Sequence, residues 1–246
     1  MSRVNVNKNI RLILLLFILA LIVIIAGNYI HIFFIKRGID YDNKLTYSKK
    51  NKDNLGIWIE SDKKQLYLIN LSSNEIIHSY TIASGKPSTP TPLGTFKIVE
   101  KARWGGGFGS RWMGLNVPWG KYGIHGTNRP GSIGLDISGG CIRMRNQDVE
   151  ELYNLVEHDT IVNITNGNYG PFGHGFRTLR PGDRGADVAE VQKRLKFKGY
   201  YLDSIDGIYG DGMKRALTQY LKDNNIGLTD KIDYDIYMKL GIILMD

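Results

Sequence analysis

From Gly56 onward the apolar residues come in short β-prone runs punctuated by turn formers, and this pattern constrains the fold more than any other feature of the chain. The first runs are Ile57-Trp58-Ile59, Gln65-Leu66-Tyr67-Leu68-Ile69 and Ile76 to Ile82. Asp62-Lys63-Lys64 and Ser72-Ser73-Asn74 supply the turns between them. Pro87, Pro90, Pro92 and Gly94 break any helix and shape a rigid turn before the next run, Thr95 to Val99. Residues 104–123 are rich in glycine and aromatics, with Trp104, Phe108, Trp112 and Trp119. One short helix is expected after Asn146, where Val149, Leu152, Tyr153 and Val156 recur at helical spacing. Ile161 to Ile164 reads as a closing strand. These elements make a mostly-β domain over 55–166.

The last third of the chain has a different period. Residues 167–177 hold four glycines and a proline and read as a linker. Beyond it, Val188, Val191, Gln192 and Leu195 line one helical face, and Ala216, Leu217, Tyr220 and Leu221 line another after Asp211 as N-cap. Ile232, Ile236 and Leu240 give a third helix. A small all-α, three-helix domain is expected over 178–246.

The N-terminus is apolar from Leu12 to about Ile35, a length that crosses a bilayer as a helix. A cleaved signal peptide fits less well. Ile24 departs from the small-residue cleavage pattern before Ala26-Gly27, and apolar residues continue beyond it. Residues 1–37 are therefore expected to be a cytoplasmic tip with an uncleaved transmembrane anchor, and the polar stretch 38–54 a tether. The net charge of +8 divides unevenly: residues 1–54 carry +6, residues 55–177 carry +2 and residues 178–246 carry none. The basic excess flanks the anchor, so no nucleic-acid partner is expected.

Cys141 is the only cysteine and cannot form an internal disulfide. It lies in Ser138-Gly139-Gly140-Cys141-Ile142-Arg143-Met144, where the glycines remove bulk around the sulfur. A thiol is mostly protonated at neutral pH and needs a base, either to take its proton or to hold a thiolate–imidazolium pair. His125, upstream in His125-Gly126, can supply one if the loop 127–137 folds back. A third group must orient the imidazole: Asp136 is the local carboxylate, and the Gly126 carbonyl serves equally well. The amides around Gly139, Gly140 and Cys141 can converge on an oxyanion. No Cys/His cluster stands at zinc-ligand spacing, so neither a metal nor a cofactor is expected.

Two segments resemble a family. Tyr122-Gly123-Ile124-His125-Gly126-Thr127-Asn128, followed by the Ser138 to Met144 run, is similar to the signature of YkuD-type L,D-transpeptidases. Thr89-Pro90-Thr91-Pro92-x-Gly94-Thr95-Phe96 resembles that family's second hallmark, and the likeness covers about 55–165. One departure is Gly139, where the family often has a bulkier residue. The resemblance implies an L,D-transpeptidase-like β-sandwich with a short helix. It implies that Cys141 forms a thioester with the third residue of a peptidoglycan stem peptide and releases D-alanine. The amine of a second stem then attacks, and carbapenems acylate the same sulfur. In this picture His125 is base and then acid, and Gly126 orients it. Gly139, Gly140, Ser138 and Arg143 support the nucleophile and oxyanion, and Tyr122 and Trp112 contact substrate.

The C-terminal region carries a second resemblance. Leu179-Arg180-x-Gly182-Asp183-x-Gly185-x-Asp187-Val188, then Gly199-Tyr200-Tyr201 and Asp206-Gly207-Ile208-Tyr209-Gly210, resemble a three-helix peptidoglycan-binding domain. Met213 and Leu221 replace the usual Thr and Gln. The expected partners are thus stem peptides and glycan, with a membrane through the N-terminal helix. The expected location is the wall side of the cell membrane, single-pass. The flanking charges, counted alone, favour the opposite orientation, and the wall-side placement rests on the implied substrate. The rival readings are an L,D-carboxypeptidase, a catalytically silent wall-adhesion protein and a cysteine protease.

Overall fold

The computed structural model describes residues 54–244, so the apolar N-terminal stretch expected to be an anchor lies outside the described residues. Among the described residues ten strands and four α-helices follow one another. The first three strands are β1 (Leu55–Glu60), β2 (Gln65–Asn70) and β3 (Glu75–Thr81), joined by the two expected turns. Strand β2 alternates strictly, burying Leu66 and Leu68 while its odd-numbered residues stay half-covered. Strand β4 (Ser84–Gly85) precedes the proline-rich turn. The turn leads into β5 (Gly94–Ala102), β6 (Trp112–Leu115), β7 (Tyr122–His125), β8 (Asp136–Ser138) and β9 (Ile142–Arg143). Helix α1 (Asn146–Leu155) buries Val149, Leu152 and Leu155, and β10 (Ile161–Thr165) closes the region.

Eight of these strands form one continuous curled sheet in the order β3-β2-β1-β10-β5-β6-β7-β9. The resemblance implied a sandwich of two layers. Here β5 belongs to both halves: Gly94 to Lys97 pair with β10, and Ile98 to Ala102 pair with β6. The register shifts between Ile98 and Glu100, and such an irregularity bends a strand and increases its twist. The sheet therefore curls through a shared strand. Within it, a parallel pairing joins β1 and β10, the first and last of its strands in chain order, Gly56 opposite Ile161 through Glu60 opposite Thr165. Strands β4 and β8 make a separate short parallel ladder.

Helices α2 (Ala186–Phe197), α3 (Asp211–Asp223) and α4 (Tyr234–Leu240) pack around Val188, Leu195, Leu217 and Tyr237, all fully buried. Gln192 is buried among them. Its amide nitrogen contacts Asp206 Oδ1 at 2.8 Å and the Ile208 carbonyl at 3.0 Å, and its oxygen accepts from the Gly207 amide at 2.8 Å. A buried amide satisfied this way fixes the 206–208 turn. Gly210, not Asp211, occupies the cap of α3; Asp211 stands in the first turn, where a carboxylate favours the helix dipole. Ile232 precedes α4 and bridges to Leu179. The glycine-rich segment 167–177 is packed rather than free: Phe176 stacks on Tyr237 with ring centroids 4.2 Å apart. Residues 51–246 form one compact unit. Among the described residues no helix is long and apolar enough to cross a membrane.

Candidate active site

Strand β7 is held between β6 and β9, with Trp112 opposite His125 on one side and Arg143 opposite His125 on the other. Ile124 faces Ile142 in the β7–β9 pair, so Cys141, one residue before β9, falls beside Gly123. Side chains alternate across a strand, which puts Cys141, Arg143 and His125 on one face of the sheet. The Gly123 amide offers a hydrogen bond to the Cys141 sulfur. Glycine at 123 is needed for packing: a Cβ there would lie 2.7 Å from the Trp112 ring.

The imidazole of His125 is 3 % exposed, and its Nδ1 meets the Gly126 carbonyl at 2.5 Å. A carbonyl only accepts, so Nδ1 carries the proton of the neutral ring and Nε2 keeps the lone pair that a base requires. Burial pushes the His125 pKa below its ordinary 6.5, with Arg143 adding to the effect while the Gly126 and Phe108 carbonyls oppose it. Burial likewise pushes the Cys141 thiol above its ordinary 9.0, against the Gly123 amide and the Arg143 charge. The resting pair is therefore a thiol and a neutral imidazole. Of the two arrangements open from the sequence, the structure favours proton removal during attack over a standing ion pair.

Asp136 does not orient the imidazole. It accepts from Ser84 Oγ at 2.6 Å and pairs with Lys64 Nζ at 2.9 Å, contacts that hold its carboxyl below the usual range. The Gly126 carbonyl takes the orienting role instead. Trp112 also differs from expectation. It is 1 % exposed, donates from Nε1 to Glu100 at 3.0 Å, and stacks on His125 at 5.9 Å. Such a side chain supports the imidazole from below and has no surface left for substrate. Tyr122 is half-buried, with its ring against the nucleophile loop.

That loop is stapled by Ser138, whose Oγ donates to the Cys141 carbonyl at 2.6 Å and accepts from the Gly140 amide at 3.0 Å. The Ser138 carbonyl accepts from the Lys86 amide and from Thr89 Oγ1, each at 3.1 Å. The proline-rich hallmark is thus the flank of the nucleophile loop. Gly140 adopts φ +110, and an added Cβ would lie 2.6 Å from Tyr122 Cε1. Gly139 is exposed, and an added Cβ would meet nothing within 4 Å, so the sulfur is approachable from that side. Arg143 is half-buried and close enough to act electrostatically on both Cys141 and His125. Its backbone exchanges two hydrogen bonds of 2.9 Å with Ala83.

Two supporting residues were not picked out from the sequence. Asn146 Oδ1 accepts from the Ser110 and Thr127 amides, each at 3.2 Å, and so fixes the peptide that carries the Gly126 carbonyl. Phe108 packs edge-on against His125 at 5.0 Å. The position of Asn146 at the start of a helix was the available signal for the first, since Asn there reaches for neighbouring backbone amides.

The family model for the L,D-transpeptidase catalytic domain, YkuD, matches residues 56–164, and that for a peptidoglycan-binding domain matches residues 184–240. Relatives bearing the name L,D-transpeptidase include YkuD of Bacillus subtilis (strain 168), 48 % identical over 93 residues, or 37 % of this chain and 56 % of that one. A YkuD from Bacillus licheniformis is also 48 % identical over 93 residues, 37 % of this chain and 55 % of that protein. The chain thus spans a little over half the length of these two relatives. YqjB of Bacillus subtilis (strain 168) is 36 % identical over 123 residues, which make 44 % of this chain and 70 % of YqjB. By this extent of likeness the chain belongs to the L,D-transpeptidase family.

Proposed function

We propose that this protein is a cell-wall L,D-transpeptidase that joins third stem residues of peptidoglycan through a thioester on Cys141. The observation that carries the reading is the contact of His125 Nδ1 with the Gly126 carbonyl at 2.5 Å; a carbonyl only accepts, so the proton sits on Nδ1 and Nε2 is the nitrogen left to act as base toward the thiol. As the proton leaves, the sulfur attacks the carbonyl of the third residue, and the backbone amides of Gly139 and Cys141 receive the developing oxyanion, the Gly140 amide being held by Ser138. The protonated imidazole then gives its proton to the departing D-alanine amine. The side-chain amine of a second stem attacks the thioester, His125 takes its proton, and the thiol is restored. If water replaces that amine, the same site trims the tetrapeptide as a carboxypeptidase.

The C-terminal helices supply peptidoglycan binding. We place the catalytic unit on the wall side of the membrane, tethered by the apolar N-terminal segment, because its substrate lies there. Two measurements test the reading. A carbapenem should add its mass to the intact protein, and Cys141→Ala should abolish the adduct while leaving retention on sacculi. Purified disaccharide tetrapeptides should yield cross-linked dimers. Trimmed monomers alone would favour the carboxypeptidase, and sacculus binding without any acylation would leave an adhesion protein.

A further inference from the structure

A cavity of about 600 Å³ opens beside the nucleophile loop, between the sheet and the segment leading into α2. Tyr122 and Gly139 belong to one wall, and Arg177, Asp183, Arg184 and Asp187 to the other. Most of its charges are already matched. Arg177 pairs with Asp187 at 2.6 Å and with Asp183 at 3.5 Å, and Asp136, also at the cavity, is held by Lys64 at 2.9 Å. Arg184 is different. Its side chain is exposed, donates from Nη1 to the Trp119 carbonyl at 3.3 Å, and pairs with no carboxylate among the described residues. A guanidinium has five N–H donors in a planar fork, so most of this one's capacity faces the cavity unused.

The backbone that carries the cation is fixed in place, and the Trp119 carbonyl anchors one guanidinium nitrogen. The backbone of Arg184 bridges to Ile208 in the turn that Gln192 holds, and Gly207 in that turn packs on Trp119, where an added Cβ would come within 2.5 Å of the indole. Its charge is also felt at the site: it acts on the Tyr122 hydroxyl, and the Tyr122 ring lies on Gly140 next to the thiol. A preorganised, unneutralised guanidinium in a cleft shared with a nucleophile is suited to a carboxylate, which it can bind through two parallel hydrogen bonds.

We propose that Arg184 is a substrate-binding residue of the catalytic cleft, taking a free carboxylate of the stem peptide, so that the helical region completes the site besides holding the wall. The inference rests on the transpeptidase reading for its substrate. It makes the enzyme selective for stem peptides whose carboxylates are free over those in which they are amidated.

The test uses the full-length chain in detergent solution. Disaccharide tetrapeptide, with free or amidated carboxylates, is titrated calorimetrically into Cys141→Ala, and into the same background carrying Arg184→Gln or Arg184→Lys. Loss of a charge-assisted contact should raise Kd about tenfold for Arg184→Gln with the free acid. Arg184→Lys should recover part of that loss, and the amidated peptide should bind all three proteins alike. Thermal unfolding of the three should coincide, because the side chain is exposed. Equal affinity for free acid and amide in Cys141→Ala, or an unchanged Kd in Arg184→Gln, overturns the proposal while leaving the transpeptidase reading intact. Failure of Cys141→Ala to bind any tetrapeptide removes both.

Discussion

The hydroxyl of Ser138 donates to the carbonyl of Cys141 at 2.6 Å while accepting from the Gly140 amide, so one side chain closes the loop that carries the nucleophile. Ser138 is 1 % exposed, and water cannot replace it. Ser138→Ala strands a buried donor and a buried acceptor, at a cost of about 1–3 kcal/mol. The rate of carbapenem acylation, followed by stopped-flow fluorescence, should fall about tenfold, and Tm should drop by about 2–12 °C.

Gly140 should tolerate no side chain. Its φ of +110 suits glycine, and a Cβ would meet the Tyr122 ring at 2.6 Å and the Pro90 carbonyl at 3.1 Å. Gly140→Ala is expected to slow acylation by about a hundredfold, the equivalent of about 2–3 kcal/mol of strain at the loop. Adding Tyr122→Leu should recover only part of the rate, because the backbone strain and the Pro90 contact remain.

In the proposed mechanism Asn146 would act through another residue. Its Oδ1 holds the Thr127 amide at 3.2 Å, next to the carbonyl that orients His125. Asn146→Ala should lower kcat about tenfold with little change in KM, as loss of one or two hydrogen bonds lets the imidazole turn. Asn146→Asp keeps an acceptor oxygen in place and should retain most of the rate. Steady-state kinetics on a tetrapeptide would read both, and a loss confined to KM would contradict the positioning role.

The pH behaviour follows from two opposite displacements. His125 titrates below 6.5 and Cys141 above 9.0. kcat/KM should rise with pH as the imidazole loses its proton, level off by about pH 6.5, and show no thiolate absorbance near 240 nm at neutral pH. The same shifts bear on stability. The unfolded chain binds a proton at His125 more readily than the folded one, so this contribution is complete above 6.5 and lost as pH falls below it. Folded Cys141 keeps its proton to higher pH than the unfolded chain, so that contribution is complete below 9.0 and lost above it. Chemical denaturation across pH should accordingly show a plateau between those limits.

Much of this was legible in the residues. The alternation of β2, the turns beside it and the helix after Asn146 all follow from local pattern, as does the placing of Cys141 and His125 on neighbouring strand ends. The continuity of the sheet was not, because it depends on β5 serving two neighbours and on an irregularity between Ile98 and Glu100 that has no glycine or proline to announce it. The role of Trp112 was hidden for a related reason. An indole reads equally well as a lining or a supporting group until glycines 114 and 123 on adjacent strands are seen to make room for it. The choice between Asp136 and the Gly126 carbonyl needed the position of Lys64, which is 62 residues from Gly126 and 72 from Asp136 in sequence. Arg184 belongs to a contact between regions, which no local pattern encodes.

The parallel pairing of β1 with β10 has a mechanical consequence. The chain enters this pair at Leu55 and leaves it at Thr165, at opposite ends of two strands running the same way. Tension applied between those points would pull along the strands and strain all their cross-links together. A sheet loaded in shear yields far less readily than one unzipped bond by bond, so the strands that border the catalytic half of the sheet would bear load without opening it.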